Sequence, residues 1–499
     1  MLRSRLGAAL AAAAMVLAAC SEPPAKAPTP DPLSWSPCEP KLECATVTVP
    51  LEYTDPDGEQ IPLAVMRHRA TNPAQRIGAL FFNPGGPGVA ATDTVTALFS
   101  PDILARFDII AMDPRGVGRS RAVRCLTDEQ RAAALAADLD ANLPGGKPLP
   151  QLIADAKTFT KGCAQHQSRE FLASLSTDNV ARDMDQVREA IGEDQITYYG
   201  VSYGTVVGPT YATLFPDRVR QMVIDAPVDT EKWRANSLEF LDEVAVASER
   251  TLDAWLAACR AEKCPFDTDT LDALIVQLEA RPLKVEPVQG LTPGGTLDGA
   301  KAREAIRAAA GAAATWPVLT AALLAAQQGN GTPLLFLWTA ITVSPFPVPT
   351  AGNEVHNAVR CVDWSTPTDV AAHTAAAAEV QEHAKRIGTE AAYAALNCAF
   401  WPTENKDRYT EPLTAAGAPP ILVIGGRLDP VTPHHWAEAV AHTLHHAVLL
   451  TREGVGHGSY RSSGSCVDTA VDEALISKKL PTDGTVCQPD KPATTIPTK

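Results

Sequence analysis

The chain has 499 residues, of which 45% are hydrophobic, 20% charged and 6% aromatic. That balance is globular and excludes a disordered tail, a collagen and a fibrous repeat. The net charge is −15, from 43 basic and 58 acidic residues, so no basic footprint for nucleic acid is present.

Residues 1–19 read as an export signal. Arg3 and Arg5 form a positive start, and Leu6 to Ala19 form an apolar run of 14 residues. A membrane span needs about 20. The end of the run, Leu17-Ala18-Ala19-Cys20, resembles a bacterial lipobox. That resemblance implies that Cys20 becomes the first mature residue and carries lipid, which brings membrane contact at the outer face of the cytoplasmic membrane. If the site is instead a plain small-residue cleavage site, the chain is secreted and Cys20 is a stray thiol. Residues 20–37 are Pro-rich and polar and read as an extended tether.

Without Cys20, ten of the 11 cysteines remain. An exported protein meets an oxidising space, so five disulfides are expected. The simplest pattern joins consecutive cysteines: Cys38–Cys44, Cys125–Cys163, Cys259–Cys264, Cys361–Cys398 and Cys466–Cys487. Other connectivities stay open. No cysteine pair has Cys-x-x-Cys spacing with a histidine nearby, so neither a metal nor another cofactor is expected.

Two β-branched stretches, 45–53 and 61–69, flank Asp55, Asp57 and Gly58 and predict a hairpin. Residues 77–82 and 107–112 are short runs without a polar face, as in strands buried on both sides. A helix follows over 179–192, then a strand over 195–199, a helix over 204–215 and a strand over 221–225. The alternation returns with strands at 420–424 and 446–450 around a helix near 433–443. This order predicts an α/β fold with a mostly parallel sheet flanked by helices. Between the two runs the chain is Ala-rich and helical in pattern, with long stretches at 239–262 and 301–326 and a Pro-rich piece at 343–350. The expected organisation is an α/β core over 38–228, an inserted helical cap over 229–412, and a second core part with the C-terminal tail over 413–499.

Gly200-Val201-Ser202-Tyr203-Gly204 lies between a predicted strand and a predicted helix. Such a tight turn needs small flanking residues and lifts a serine hydroxyl above the sheet edge. A serine needs a base, and the base needs an orienting acid. Asp429 follows the strand at 420–424, and His457 lies in the glycine-rich loop after the last strand. Their chain order, serine then acid then histidine, suits this turn. Asp225 is a rival acid, at the end of the preceding strand. His434, His435, His442, His445 and His446 give no metal spacing, and most of them are expected to face solvent. Thr432 reads as a helix N-cap, or as a seat for the acid loop. Oxyanion donors are expected at Tyr203 N–H and, in Gly85-Gly86-Pro87-Gly88, at Gly86.

These residues resemble the α/β-hydrolase fold. Within it they resemble the proline iminopeptidases and the secreted actinobacterial tripeptidyl aminopeptidases. The matching segments are Gly85 to Gly88, the elbow 200–204, the acid and base segments, and a run holding Asp113, Arg115, Gly116, Gly118 and Ser120. Asn83 departs from the pattern, since many relatives carry histidine there. The resemblance implies removal of short N-terminal peptides through a Ser-His-Asp acyl-enzyme. It also implies cap acids that bind the substrate's free amine, for which Glu354 and Asp363 are candidates; the alternative is that they are plain surface carboxylates. Peptides with a free N-terminus are the expected partners. An esterase or lipase of the same fold, and a non-catalytic envelope-binding lipoprotein, are the rival functions.

Overall fold

The computed structural model describes residues 33–95, 98–130, 148–289, 292, 294–342, 351–386, 391, 393–404 and 408–496. The expected export signal, Cys20 and the Pro-rich piece at 343–350 lie outside these residues.

Ten strands share one sheet: β1 (Ser36–Glu39), β2 (Leu42–Pro50), β3 (Gln60–His68), β4 (Gly78–Asn83), β5 (Phe107–Met112), β6 (Ile196–Val201), β7 (Val219–Asp225), β10 (Ile421–Leu428), β11 (Ala447–Val455) and β12 (Thr485–Cys487). A separate ribbon pairs β8 (Leu283–Val285) with β9 (Gly295–Leu297). The main order is β1-β2-β3-β5-β4-β6-β7-β10-β11-β12. The three pairs from β1 to β5 are antiparallel, and all the others are parallel. The fold is therefore α/β with a mostly parallel sheet. β1 starts at Ser36, inside the stretch expected to be tether, and Trp35 before it lies 4.0 Å below the Arg67 guanidinium.

The central strands are continuous apolar runs because helices cover both faces. Every residue of β4 and β5 is buried. Their side chains divide with period two. Phe81, Ile110, Tyr198 and Met222 pack on one face, with residues of helices Thr177–Ala190 and Gly204–Leu214. Leu80, Ile109, Tyr199 and Val223 pack on the other, with helices Pro101–Arg106 and Ser465–Ser477. The run at Asp113 to Ser120 serves this frame. Arg115 is fully buried and its guanidinium donates to Asp183 at 2.6 and 2.7 Å and to the carbonyls of Pro50, Leu51 and Ser174. It staples the helix Thr177–Ala190 to the end of β2, and removing one partner of such a buried pair costs about 3–5 kcal/mol.

Between β7 and β10 the described elements are helices and the β8–β9 ribbon. Helices Ser237–Ala261, Thr268–Ala280, Gly299–Ala310, Trp316–Gln327 and Thr332–Thr342 enclose a core that includes Trp255, Leu274, Ile306, Leu323 and Leu335. The pattern over 301–326 predicts one helical stretch, but the structure bends it by 118°. The break falls at Gly311, with Pro317 in the first turn of the second helix. Gly311 lies against Pro430, where an added Cβ would sit 3.1 Å from its ring. Ser248 Oγ donates to the Pro430 carbonyl at 2.8 Å, so these cap helices rest on the residue after Asp429.

The cysteines of all five consecutive pairs are joined. Past β12 the chain returns to the cap, where Glu262 accepts from Thr494 Oγ1, Thr495 N and Oγ1, and Ile496 N.

Candidate active site

β6 runs into Ser202, which has φ +56° although it is not glycine. That left-handed turn reverses the chain into helix Gly204–Leu214 and leaves the serine part-exposed at the sheet edge. The flanking glycines are required by space. A Cβ on Gly200 would lie 2.6 Å from the Gly204 carbonyl, and one on Gly204 would lie 2.7 Å from the Asn83 carbonyl. Ser202 N–H donates to the Asp225 carbonyl at 3.0 Å, which fixes the elbow to the end of β7.

The loop after β4 comes against this turn. Gly85 has φ +98°, and a Cβ there would meet Val201 O at 2.6 Å and Ser202 Cβ at 2.9 Å. Asn83 Oδ1 accepts from Gly85 N–H at 2.9 Å, so this residue orders the loop from within. Among the described residues, the N–H groups of Gly86 and Tyr203 have no acceptor inside the protein. Tyr203 stands at the N-cap of its helix, where backbone donors are left over.

Asp429 is buried and His457 is exposed, with 28% of its side chain accessible. His457 Nδ1 donates to both oxygens of Asp429, at 2.9 and 3.0 Å. Val431 and Thr432 N–H donate to Asp429 Oδ1 at 2.9 and 2.8 Å. Burial pushes the Asp429 carboxyl up, but His457 and these donors outweigh it and hold it below its ordinary value. Burial pulls the His457 imidazole down, but Asp429 and Asp225 raise it above 6.5 despite Arg452. Thr432 is not an N-cap, since Pro433 holds that position before helix His434–Thr443. Its backbone seats the acid.

Asp225, the rival acid, is fully buried and serves the base loop instead. Its Oδ2 accepts from Ser459 N–H at 2.8 Å, Tyr460 N–H at 2.9 Å and Tyr199 O–H at 2.9 Å. On the other side of His457, buried Arg452 donates to the Gly454 carbonyl at 2.6 Å and to the Gly456 carbonyl. Sequence reading missed both grips: Asp225 meets its amides across 234 and 235 positions, and Arg452, though only two and four residues from its carbonyls, carries no motif that marks it. Of the five other histidines, most of them expected to face solvent, His435, His442, His445 and His446 do, and His434 is half-buried with Nε2 at 2.9 Å from Thr451 Oγ1.

Glu354 and Asp363 are not surface carboxylates. Both are buried, on helix Ala351–Asp363. Glu354 Oε2 accepts from the backbone N–H groups of Cys125 and Leu126. Asp363 accepts from Thr177 N–H at 3.0 Å, Thr177 Oγ1 at 2.5 Å and Trp233 Nε1 at 3.0 Å. Burial pushes its carboxyl up to about 6 against those hydrogen bonds. Committed to protein donors, neither carboxylate is offered to a substrate amine in this arrangement.

The arrangement combines a strained, part-exposed serine, a histidine held by a buried carboxylate and two unpartnered N–H groups beside the elbow. Such a set performs acyl transfer. Among the described residues no group of three or more His, Cys, Asp and Glu side chains is placed to hold a metal.

Known proteins are similar to this chain over most of its length. The family model described as TAP-like protein matches residues 382–487, which include Asp429 and His457. Carboxylesterase B of Mycobacterium tuberculosis is 33% identical, over 96% of this chain and 95% of that protein. Serine protease Hip1 of Mycobacterium tuberculosis is 29% identical, over 96% of both chains. Tripeptidyl aminopeptidase of Streptomyces lividans is 29% identical, over 92% of this chain and 87% of that one.

Proposed function

This chain belongs to the α/β-hydrolase family of carboxylesterase B, Hip1 and the tripeptidyl aminopeptidases and is a serine hydrolase; on that premise we propose that it is an exported exopeptidase that removes short N-terminal peptides. Ser202 is the nucleophile, His457 the base and Asp429 the orienting acid. With Nδ1–H given to Asp429, His457 Nε2 carries the lone pair that takes the Ser202 proton. Ser202 Oγ attacks the peptide carbonyl, and the N–H groups of Gly86 and Tyr203 hold the oxyanion. His457 then hands its proton to the leaving amine, and water releases the N-terminal fragment from the serine ester.

The observation that carries this reading is the buried Asp429 that accepts from His457 Nδ1 with both oxygens, together with the left-handed Ser202 at the elbow. The 33% identity to a protein named carboxylesterase B supports a second reading, ester hydrolysis by the same residues. A mixed peptide library, with released fragments read by mass, separates the two. Tripeptides or other short N-terminal fragments are expected from free-amine peptides and not from N-blocked ones. Turnover of acyl esters alone would favour the esterase. A fluorophosphonate should label Ser202, and full activity in Ser202→Ala would sink the assignment. Export by residues 1–19 and lipid on Cys20 belong to the same proposal; a Cys20→Ala chain should leave the detergent phase in a membrane partition assay.

A further inference from the structure

The cap helix Ala351–Asp363 reaches both halves of the site's donor pair. Near its start, His356 Nδ1 lies 3.1 Å from the Pro87 carbonyl, one residue beyond Gly86. A carbonyl only accepts, so Nδ1 carries the proton and Nε2 has the lone pair. Arg360, one turn on, supplies an N–H to that lone pair at 2.9 Å. The Arg360 guanidinium is in turn stacked 3.7 Å from the Trp364 ring centre. The relay runs from Arg360 through neutral His356 to the glycine loop. Burial and the Arg360 charge push the His356 imidazole down to about 3, consistent with a neutral ring.

At the other end of the same helix, Asp363 Oδ2 accepts a hydrogen bond from the Thr177 hydroxyl. Thr177 Oγ1 therefore accepts from the Tyr203 hydroxyl, at 2.7 Å. The Tyr203 ring is buried and 5.5 Å from the Trp233 ring, whose N–H also goes to Asp363. Tyr203 is thus held by its side chain from the cap while its N–H is left for the substrate oxygen. The disulfide Cys361–Cys398 ties this helix to a second cap segment.

We infer that helix Ala351–Asp363 is a brace for the oxyanion hole, with His356 and Thr177–Asp363 as positioning residues that hold the Gly86 and Tyr203 donors. The inference rests on the reading of those two N–H groups as the oxyanion donors. It gives the buried cap carboxylate Asp363 a role that needs no contact with substrate. Preorganised donors work only if they are held where charge develops, and a misplacement of about 1 Å costs on the order of a hundredfold in rate.

Phosphonylation of Ser202 by a fluorophosphonate tests this without knowledge of the natural substrate, because the phosphoryl oxygen occupies the same hole. The rate constant is read by intact mass, beside kcat and KM on a p-nitrophenyl ester. His356→Leu should slow phosphonylation and lower kcat by about tenfold or more, with KM within about twofold. His356→Asn, whose amide N–H replaces Nδ1–H, should recover most of the rate. Thr177→Val, which frees the Tyr203 hydroxyl, should show the same kcat-selective loss, and it carries the test if the His356 variant does not fold. Folded variants that phosphonylate at the parental rate, or that lose Tm with kcat unchanged, would overturn the brace. If the parent protein is not labelled at Ser202, the acyl-enzyme reading fails first, and that result is distinct from parental labelling with insensitive variants.

Discussion

Asp225 ends β7, Asp429 follows directly on the neighbouring β10, and both are buried within reach of the His457 loop. Asp429 points its two oxygens at the imidazole, whereas Asp225 spends one oxygen on the amides of Ser459 and Tyr460. One aspartate orients the ring, and the other fixes the backbone that carries it. Residue type, burial and position at a strand's carboxyl end are shared, so the difference lies only in which donors face each carboxylate. Arg452 completes the second task from the opposite side, through the carbonyls of Gly454 and Gly456.

The largest break in this comparison should come from Asp429→Asn. An amide at this position favours the wrong imidazole tautomer, and kcat should fall by about 10⁴ with little change in KM. Gly85→Ala should come next, because its Cβ would meet Val201 O and Ser202 Cβ at φ +98°. The loop must withdraw from the elbow, and a kcat loss of about a hundredfold is expected. Asp225→Asn is the milder test. Its amide oxygen can still accept from the loop amides, so steady-state kinetics should show a loss of about tenfold or less. A loss as large as that of Asp429→Asn would make Asp225 the orienting acid and reverse the assignment.

Much of this region was legible in the chain. Strands buried on both faces are unbroken apolar runs, so β4, β5, β6 and β10 announce themselves, and the loops that follow them had to hold the chemistry. Ser202 was legible because its turn imposes glycine on both sides. The roles of Asp225 and His356 were not, since each depends on a partner brought close only by the folded sheet or cap, and Arg452 grips its own loop without a motif that marks it. His356 reaches Pro87 across 269 positions, and Asp225 reaches Ser459 across 234. The cap was the least legible part. Its alanine-rich run from Gly299 to Gln327 reads as one helical stretch, and Pro430, which sits against the break at Gly311, lies in another part of the chain.

The smallest expected effect sharpens the comparison most, because it has a sign. His457 must be neutral to accept the Ser202 proton, so the acid limb of kcat/KM reports its titration. That imidazole is raised above 6.5; burial lowers it, Asp429 and Asp225 raise it and Arg452 lowers it. Activity should therefore fall as the pH drops through a value above 6.5. Removing the Asp225 charge takes away a raising influence, so Asp225→Asn should move the acid limb to lower pH. Removing the Arg452 charge takes away a lowering one, so Arg452→Met should move it to higher pH. Both variants loosen the same loop and both should lose rate, yet a purely structural disturbance has no reason to shift the two limbs in opposite directions. Displacement to the same side in both would show that the loop's position, and not the field of these two charges, sets the His457 titration.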